Sequence, residues 1–311
     1  MKKTVIVIVG PTAVGKTNLS IEVAKQFNGE IISGDSMQVY KTMDIGTAKV
    51  TPVEMQGIPH YLIDQIEPNE AYSVADFKED VQKYIHEISE RGKLPIIVGG
   101  SGLYIQGALY NYHFSDKQRD ESITKRLEEQ LEKHGISPLY EYLQEVDPAQ
   151  AEKIHPNNHR RVIRALEIYE TTGKKMSEIE ATQTKESPYH IIFIGLEMER
   201  KLLYEQINHR VDLMMEAGLL AEVKRLYELG LKDCQSMKAI GYKEFIPYFE
   251  GFQELEEAIE LLKRNSRRYA KRQYTWFKNK MDITWYSMNP DEKIENYKKI
   301  LKDIEGILKK I

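Results

Sequence analysis

Gly10, Pro11, Thr12, Ala13, Val14, Gly15, Lys16 and Thr17 run consecutively and fit the pattern G-x-x-x-x-G-K-[ST]. Glycines in such a loop let backbone N–H groups turn into one cavity, and a helix starting at its end adds partial positive charge. Lys16 supplies a point charge for phosphate oxygens, and Thr17 a hydroxyl for a magnesium ion. The chemistry is diphosphate binding. The loop does not say which molecule carries the diphosphate, and a glycine turn that binds nothing is the bland alternative.

A second set stands at Ser33-Gly34-Asp35-Ser36-Met37-Gln38-Val39-Tyr40-Lys41. Asp35 can act as a general base or a magnesium ligand, and Ser36 and Gln38 can hydrogen-bond the edge of a base, glutamine suiting adenine. The alternative is an Asx turn with polar groups facing solvent. A nucleotide kinase would also place an Asp at the end of a later strand to hold magnesium. Here Pro95-Ile96-Ile97-Val98 ends in Gly99-Gly100-Ser101 with no carboxylate. A kinase of a nucleotide or small metabolite is weakened but stays open.

The elements around these residues must bring them together. Thr4–Val9 is a β-branched run closed by Gly-Pro, which predicts a buried strand. Lys16–Phe27 has helical spacing, Glu30–Ser33 is a second short strand, and Leu94–Val98 is a third. Ser73 predicts the N-cap of a helix through Arg91, with Gly92 as its stop. Alternating strands and helices imply a parallel α/β sheet, whose carboxyl edge is where ligands bind. From about Ser115 to Ser187 the chain is polar, helical and poor in strands, with Arg126–Lys133 and Asn158–Thr171 the clearest helices. Tyr189–Leu196 returns to a strand, followed by helices at Arg200–Glu216, Leu219–Leu229 and Leu255–Lys278, and a last strand at Ile283–Tyr286. The expected architecture is a phosphate-loop α/β core, residues 1–114 and 189–311, interrupted by a helical insertion at 115–188.

The 311 residues, 41% hydrophobic, suffice for one large domain and a smaller one. The apolar run Val5–Val9 stops at Gly10, far short of the ~20 apolar residues of a membrane helix. The lone Cys234 excludes a disulfide framework and a cysteine-ligated zinc module, so a reducing cytoplasm is expected. The net charge of −4 hides a segregation. Leu261–Met281 holds no acid but carries Lys263, Arg264, Arg267, Arg268, Lys271, Arg272, Lys278 and Lys280. Local charge of this kind decides where a polyanion docks.

With these residues on the page a resemblance becomes specific. The phosphate loop, Asp35-Ser36-Met37-Gln38-Val39-Tyr40, Asp44-Ile45-Gly46-Thr47-Ala48-Lys49 and Val98-Gly99-Gly100-Ser101-Gly102-Leu103-Tyr104 resemble the tRNA dimethylallyltransferase (isopentenyltransferase) family. His155–Glu167, Arg210-Val211 with Met214 and Gly218-Leu219, Ala239–Glu244 and Tyr269–Gln273 agree in order and spacing. The match runs from Val5 to about Phe277, and the single cysteine makes it resemble the bacterial type.

The resemblance implies that the phosphate loop holds the diphosphate of dimethylallyl diphosphate, with magnesium near Thr17, while the allyl group moves to the exocyclic amine of adenosine 37 in tRNA. It implies that Asp35 takes the proton of that amine, that Ser101, where relatives often have threonine, offers it a hydroxyl, and that Arg210 helps stabilise the leaving group. It places tRNA contacts at Asp35, Ser36, Met37, Gln38, Ser101, Asn158, His159, Arg160, Arg161, Val162 and Ile163. Thr124 also belongs to this set, standing where relatives carry an arginine. Arg264, Arg268, Lys271 and Arg272 suit phosphates, whereas Tyr269, Tyr274, Trp276 and Phe277 read better as core than as stacking platforms. The protein is expected to act as a monomer. Competing readings are a kinase, a transferase acting on free adenosine nucleotides, and a non-catalytic RNA-binding protein regulated by nucleotide.

Overall fold

In the computed structural model, residues 2–110, 121–182 and 186–311 are described. The chain divides into two compact units, one of Met1–Leu109 with Ser187–Ile311 and one of Tyr110–Glu186.

The first unit is built on a six-stranded sheet in the order β3-β2-β4-β1-β5-β6. Its strands are β1 (Lys3–Val9), β2 (Gly29–Ser33), β3 (His60–Tyr61), β4 (Leu94–Gly99), β5 (Tyr189–Glu197) and β6 (Thr284–Ser287). All pairings are parallel, with Val9 beside Gly99, Ser33 beside Val98 and Leu196 beside Tyr286. Parallel sheets are covered on both faces, which is why Val5–Val9 is an unbroken apolar run with every residue fully buried. Burying each such side chain contributes roughly 1.5–3 kcal/mol.

The covering helices of this unit are α1 (Lys16–Gln26), the short α2 (Pro52–Met55), α3 (Val74–Glu90) and α4 (Gly102–Leu109). The second unit holds α5 (Glu121–His134), α6 (Ser137–Val146), α7 (Pro148–Ala151), α8 (His159–Thr172) and α9 (Met176–Ala181). The first unit resumes after β5 with α10 (Arg200–Glu216), α11 (Leu219–Glu228), α12 (Ile246–Phe249), α13 (Leu255–Lys280) and α14 (Lys293–Leu308). Ser73 caps α3 as expected: its side chain accepts the Asp76 N–H, and the Asp76 carboxylate accepts the Ser73 N–H. Gly92, at φ +69, follows the helix.

The strand at Leu94 is fourth in the chain rather than third, because His60–Tyr61 forms an extra strand too short to show periodicity. The helix α14 went unanticipated, although Ile300 and Ile304 bury one face of it against the core of α1 and β5. Asn111–Ser115, across the expected start of the insertion, lies outside the described residues. No described helix is long and apolar enough to cross a membrane.

Candidate active site

Because β2, β4 and β1 are neighbours and parallel, the turns leaving their carboxyl ends lie side by side. These turns carry Asp35, Ser101 and the phosphate loop. The approach is close: a Cβ on Gly99 would lie 2.2 Å from the Gly34 carbonyl oxygen, so only glycine fits at the end of β4.

The phosphate loop leaves β1 and enters α1 through Gly15, which is left-handed at φ +98. Ala13 and Val14 are buried and anchor the loop, whereas Thr17 is exposed at the first turn of α1. The Lys16 ammonium folds back and donates to the carbonyls of Gly10 at 2.9 Å and Pro11 at 2.8 Å. Burial, and then the nearby charge of Arg210, push Lys16 down to about 7, while Asp35 pulls it upward. Arg210, on α10, is itself held below its usual value by burial. Two cations and one carboxylate, all partly buried, therefore act on one another beside the loop, with Lys16 feeling both Arg210 and Asp35.

Asp35 is a hybrid of the two readings of its sequence. Its Oδ1 accepts the Met37 N–H at 2.8 Å, which makes a local Asx turn. Yet Asp35 is partly buried, and burial raises its pKa against the opposing pull of the Met37 N–H and Lys16. Ser101 is 9% exposed, and its Oγ accepts the Ser36 N–H at 3.3 Å. Gln38 is already committed: its Oε1 accepts from Ser33 Oγ at 2.8 Å, and its Nε2 donates to the carbonyls of Thr47 at 3.2 Å and Ala48 at 3.3 Å. In this conformation it braces the turn rather than presenting a free edge to a base.

Two further residues complete the site. Gln273 on α13 is buried and bonds both the phosphate loop and the turn after β4, accepting from the Thr12 N–H and donating to Gly100 O. Tyr269, one turn before Gln273 on the same helix, is pushed up to about 12 by burial and the charge of Asp35, with Ser101 and Gln273 opposing. Tyr269 thus belongs to the site rather than to the apolar core. The signal was present in Tyr269-Ala270-Lys271-Arg272-Gln273, where residues four apart lie on one helix face. Phe277, by contrast, is fully buried core. Arg264, Arg268, Lys271 and Arg272 are exposed along α13.

In the second unit, Asn158, His159, Arg160 and Arg161 are exposed at the start of α8, and Asn158 makes no side-chain cap there. Arg164 is tied to Glu167 at 2.7 Å. Three of the expected contact residues have buried side chains. Thr124 is 6% exposed, Val162 0% and Ile163 5%, the last two packing with Leu127, Leu139, Leu143 and Leu166. Their side chains pack within the helical unit, whereas Asn158–Arg161 stay exposed.

Residues 38–280 match the family model of IPP transferase. The chain belongs to this family. Among IPP transferase relatives, the tRNA dimethylallyltransferase of Oceanobacillus iheyensis is 61% identical over 311 residues, covering 99% of this chain and 98% of its own. That of Bacillus cytotoxicus is 59% identical over 307 residues, covering 99% and 96%. The full-length tRNA isopentenylpyrophosphate transferase of Bacillus halodurans superposes with a TM-score of 0.76 at 50% identity, covering 100% of this chain and 98% of that one. A eukaryotic dimethylallyltransferase acting on tRNA superposes with a TM-score of 0.80 at 38% identity, covering 93% and 74%. The six-stranded parallel sheet is thus an IPP transferase fold with a phosphate loop at the end of its β1 strand.

Proposed function

We infer that this chain transfers the dimethylallyl group of dimethylallyl diphosphate to the exocyclic amine of adenosine 37, beside the anticodon of tRNA. The observation that carries the reading is the convergence of the Gly10–Thr17 loop, the Asp35 turn and the Ser101 turn at the carboxyl edge of the sheet, tied together through Ser36 and Gln273. The allylic C–O bond breaks, and diphosphate leaves with the electron pair. The amine lone pair forms the new N–C bond, and the proton it sheds passes to Asp35. Lys16, Arg210 and the loop amides stabilise charge that grows on the leaving oxygens, an effect that is strongest where water is excluded. Burial makes Asp35 a better proton acceptor than a surface carboxylate. The Ser101 hydroxyl, held by Ser36, is a partner for the amine.

Magnesium fits this arrangement as an ion that arrives with its substrate. Among the described residues no group of three or more His, Cys, Asp or Glu stands ready to cage a metal. The exposed Thr17 hydroxyl would supply one hard oxygen at the start of α1. Bound there, magnesium would neutralise leaving-group charge. A target in the anticodon loop can be splayed out more cheaply than one in a duplex, and the exposed arginines at the start of α8 and along α13 suit its phosphates. β4 ends in Gly99-Gly100-Ser101, so the strand-end carboxylate of a phosphoryl-transfer enzyme is missing.

The test is direct. The protein is incubated with an anticodon stem-loop RNA, magnesium and dimethylallyl diphosphate, and the RNA is digested and analysed by mass spectrometry. A dimethylallyl adduct on adenosine is expected. Absence of adduct together with ATP turnover would overturn the reading in favour of a kinase.

A further inference from the structure

Outside the reacting groups, a single carboxylate gathers four hydrogen bonds. Glu222, in α11 and 8% exposed, accepts the backbone N–H groups of Asp44 at 3.0 Å, Ile45 at 2.9 Å and Gly46 at 3.1 Å. It also accepts the Tyr242 hydroxyl at 2.6 Å. The Tyr242 ring lies so close to Gly46 that a Cβ there would meet it at 2.5 Å. Arg225, in the same helix, donates to the Thr42 carbonyl at 2.8 Å. Residues 42–46 are thereby fixed to α11 from several sides.

That loop in turn holds the catalytic turn. The carbonyls of Thr47 and Ala48 receive the two Gln38 donors, Gln38 Oε1 accepts from Ser33 Oγ, and Ser33 Oγ accepts the Asp35 N–H at 3.3 Å. We propose that Glu222 is a positioning residue for the transfer reaction, setting the Asp35–Gln38 turn through the 44–48 loop and Gln38. The inference rests on the transferase reading above. Three convergent amide N–H groups would otherwise lack an acceptor in a partly dry setting, so the loop would relax and Gln38 would lose its carbonyl anchors. The phosphate loop is not part of this chain of bonds and keeps its own supports in Lys16 and Gln273.

The test is a double-mutant cycle of Glu222→Gln and Gln38→Ala in the transfer assay, with thermal melting of every variant. Glu222→Gln puts an NH2 group against N–H and O–H donors. It is expected to lower kcat about tenfold, the equivalent of one to two hydrogen bonds, while KM for dimethylallyl diphosphate stays within about twofold. In the Gln38→Ala background the same change should cost less than about twofold, because the link it acts through is gone. Tyr242→Phe, which keeps the ring on Gly46 and removes one donor, should lower kcat by a smaller factor in the same direction. An equal loss in both backgrounds, or a loss seen in the diphosphate KM alone, would overturn the positioning role. No transfer by the wild-type protein would instead defeat the functional reading.

Discussion

Gln273 accepts the backbone N–H of Thr12 through Oε1 at 2.8 Å, joining the phosphate loop to a helix 261 residues further along the chain. Its Nε2 donates to the Gly100 carbonyl at 3.1 Å, so one amide couples the loop after β1 to the turn after β4. A Cβ on Gly100 would lie 2.0 Å from that nitrogen, which explains a glycine there. The Gly10–Thr17 loop and the Ser101 turn are braced as one body.

Replacing Gln273 with leucine leaves both backbone groups unmatched, at a cost of about 1–3 kcal/mol each. KM for dimethylallyl diphosphate should rise about tenfold, with a fall of several degrees in Tm. Initial-rate kinetics and thermal melting check this, and an unchanged KM would contradict the bracing role.

Asp35→Asn keeps the shape of the turn and removes the proton acceptor. Transfer should fall by about a thousandfold, with RNA affinity nearly intact. In the wild-type protein the raised pKa of Asp35 sets the sign of the pH dependence. The rate should drop as pH falls through a value above the ordinary carboxylate range, because the protonated acid cannot accept the amine proton. Single-turnover rates across pH measure it; a large loss of RNA affinity in Asp35→Asn would point to binding rather than catalysis.

Lys16, pushed down to about 7 in the free protein, should regain its proton when the anionic diphosphate arrives. At about pH 8, binding should take up close to one proton, and affinity should weaken as pH rises further. Calorimetry in buffers of different ionisation enthalpy reads the uptake directly. A Lys16→Met protein that showed the same uptake would refute the assignment.

The phosphate loop, the sheet strands and the carboxylate-free end of β4 were legible because each is a local pattern: an apolar run, a glycine spacing, a cap. Ser73 and Gly92 marked the ends of α3 for the same reason. Glu222 and Gln273 were not legible in their roles, since their backbone partners stand 176 to 178 and 173 to 261 residues away. The bracing role of Gln38 was not legible because the carbonyls of Thr47 and Ala48 that it bonds belong to a loop without periodicity. Val162 and Ile163 sit in a helix whose exposed first residues are basic, and only burial separates the two roles.

At the opposite end of β2, Glu30 is 3% exposed and bonded to Tyr61, Arg91 and Lys93. Burial alone would raise its pKa, but these partners carry it down to about 2. A depressed carboxylate stabilises the fold above its ordinary value of 4.5, and that stability is lost as pH falls towards 2. Denaturant titrations from neutral to acid pH should show Glu30→Gln less stable than wild type at neutrality, with the gap closing in acid. A constant gap would contradict the ion-pair origin.

The central claim is that the phosphate loop clamps a leaving group and transfers no phosphoryl. It is tested by using dimethylallyl diphosphate with heavy oxygen at the bridge between carbon and phosphorus. Cleavage of the C–O bond sends the label into the released diphosphate and leaves an unphosphorylated, prenylated adenosine. Label retained with the prenyl carbon as dimethylallyl alcohol, or phosphate appearing on the RNA, would mean that a P–O bond had broken and the account was wrong.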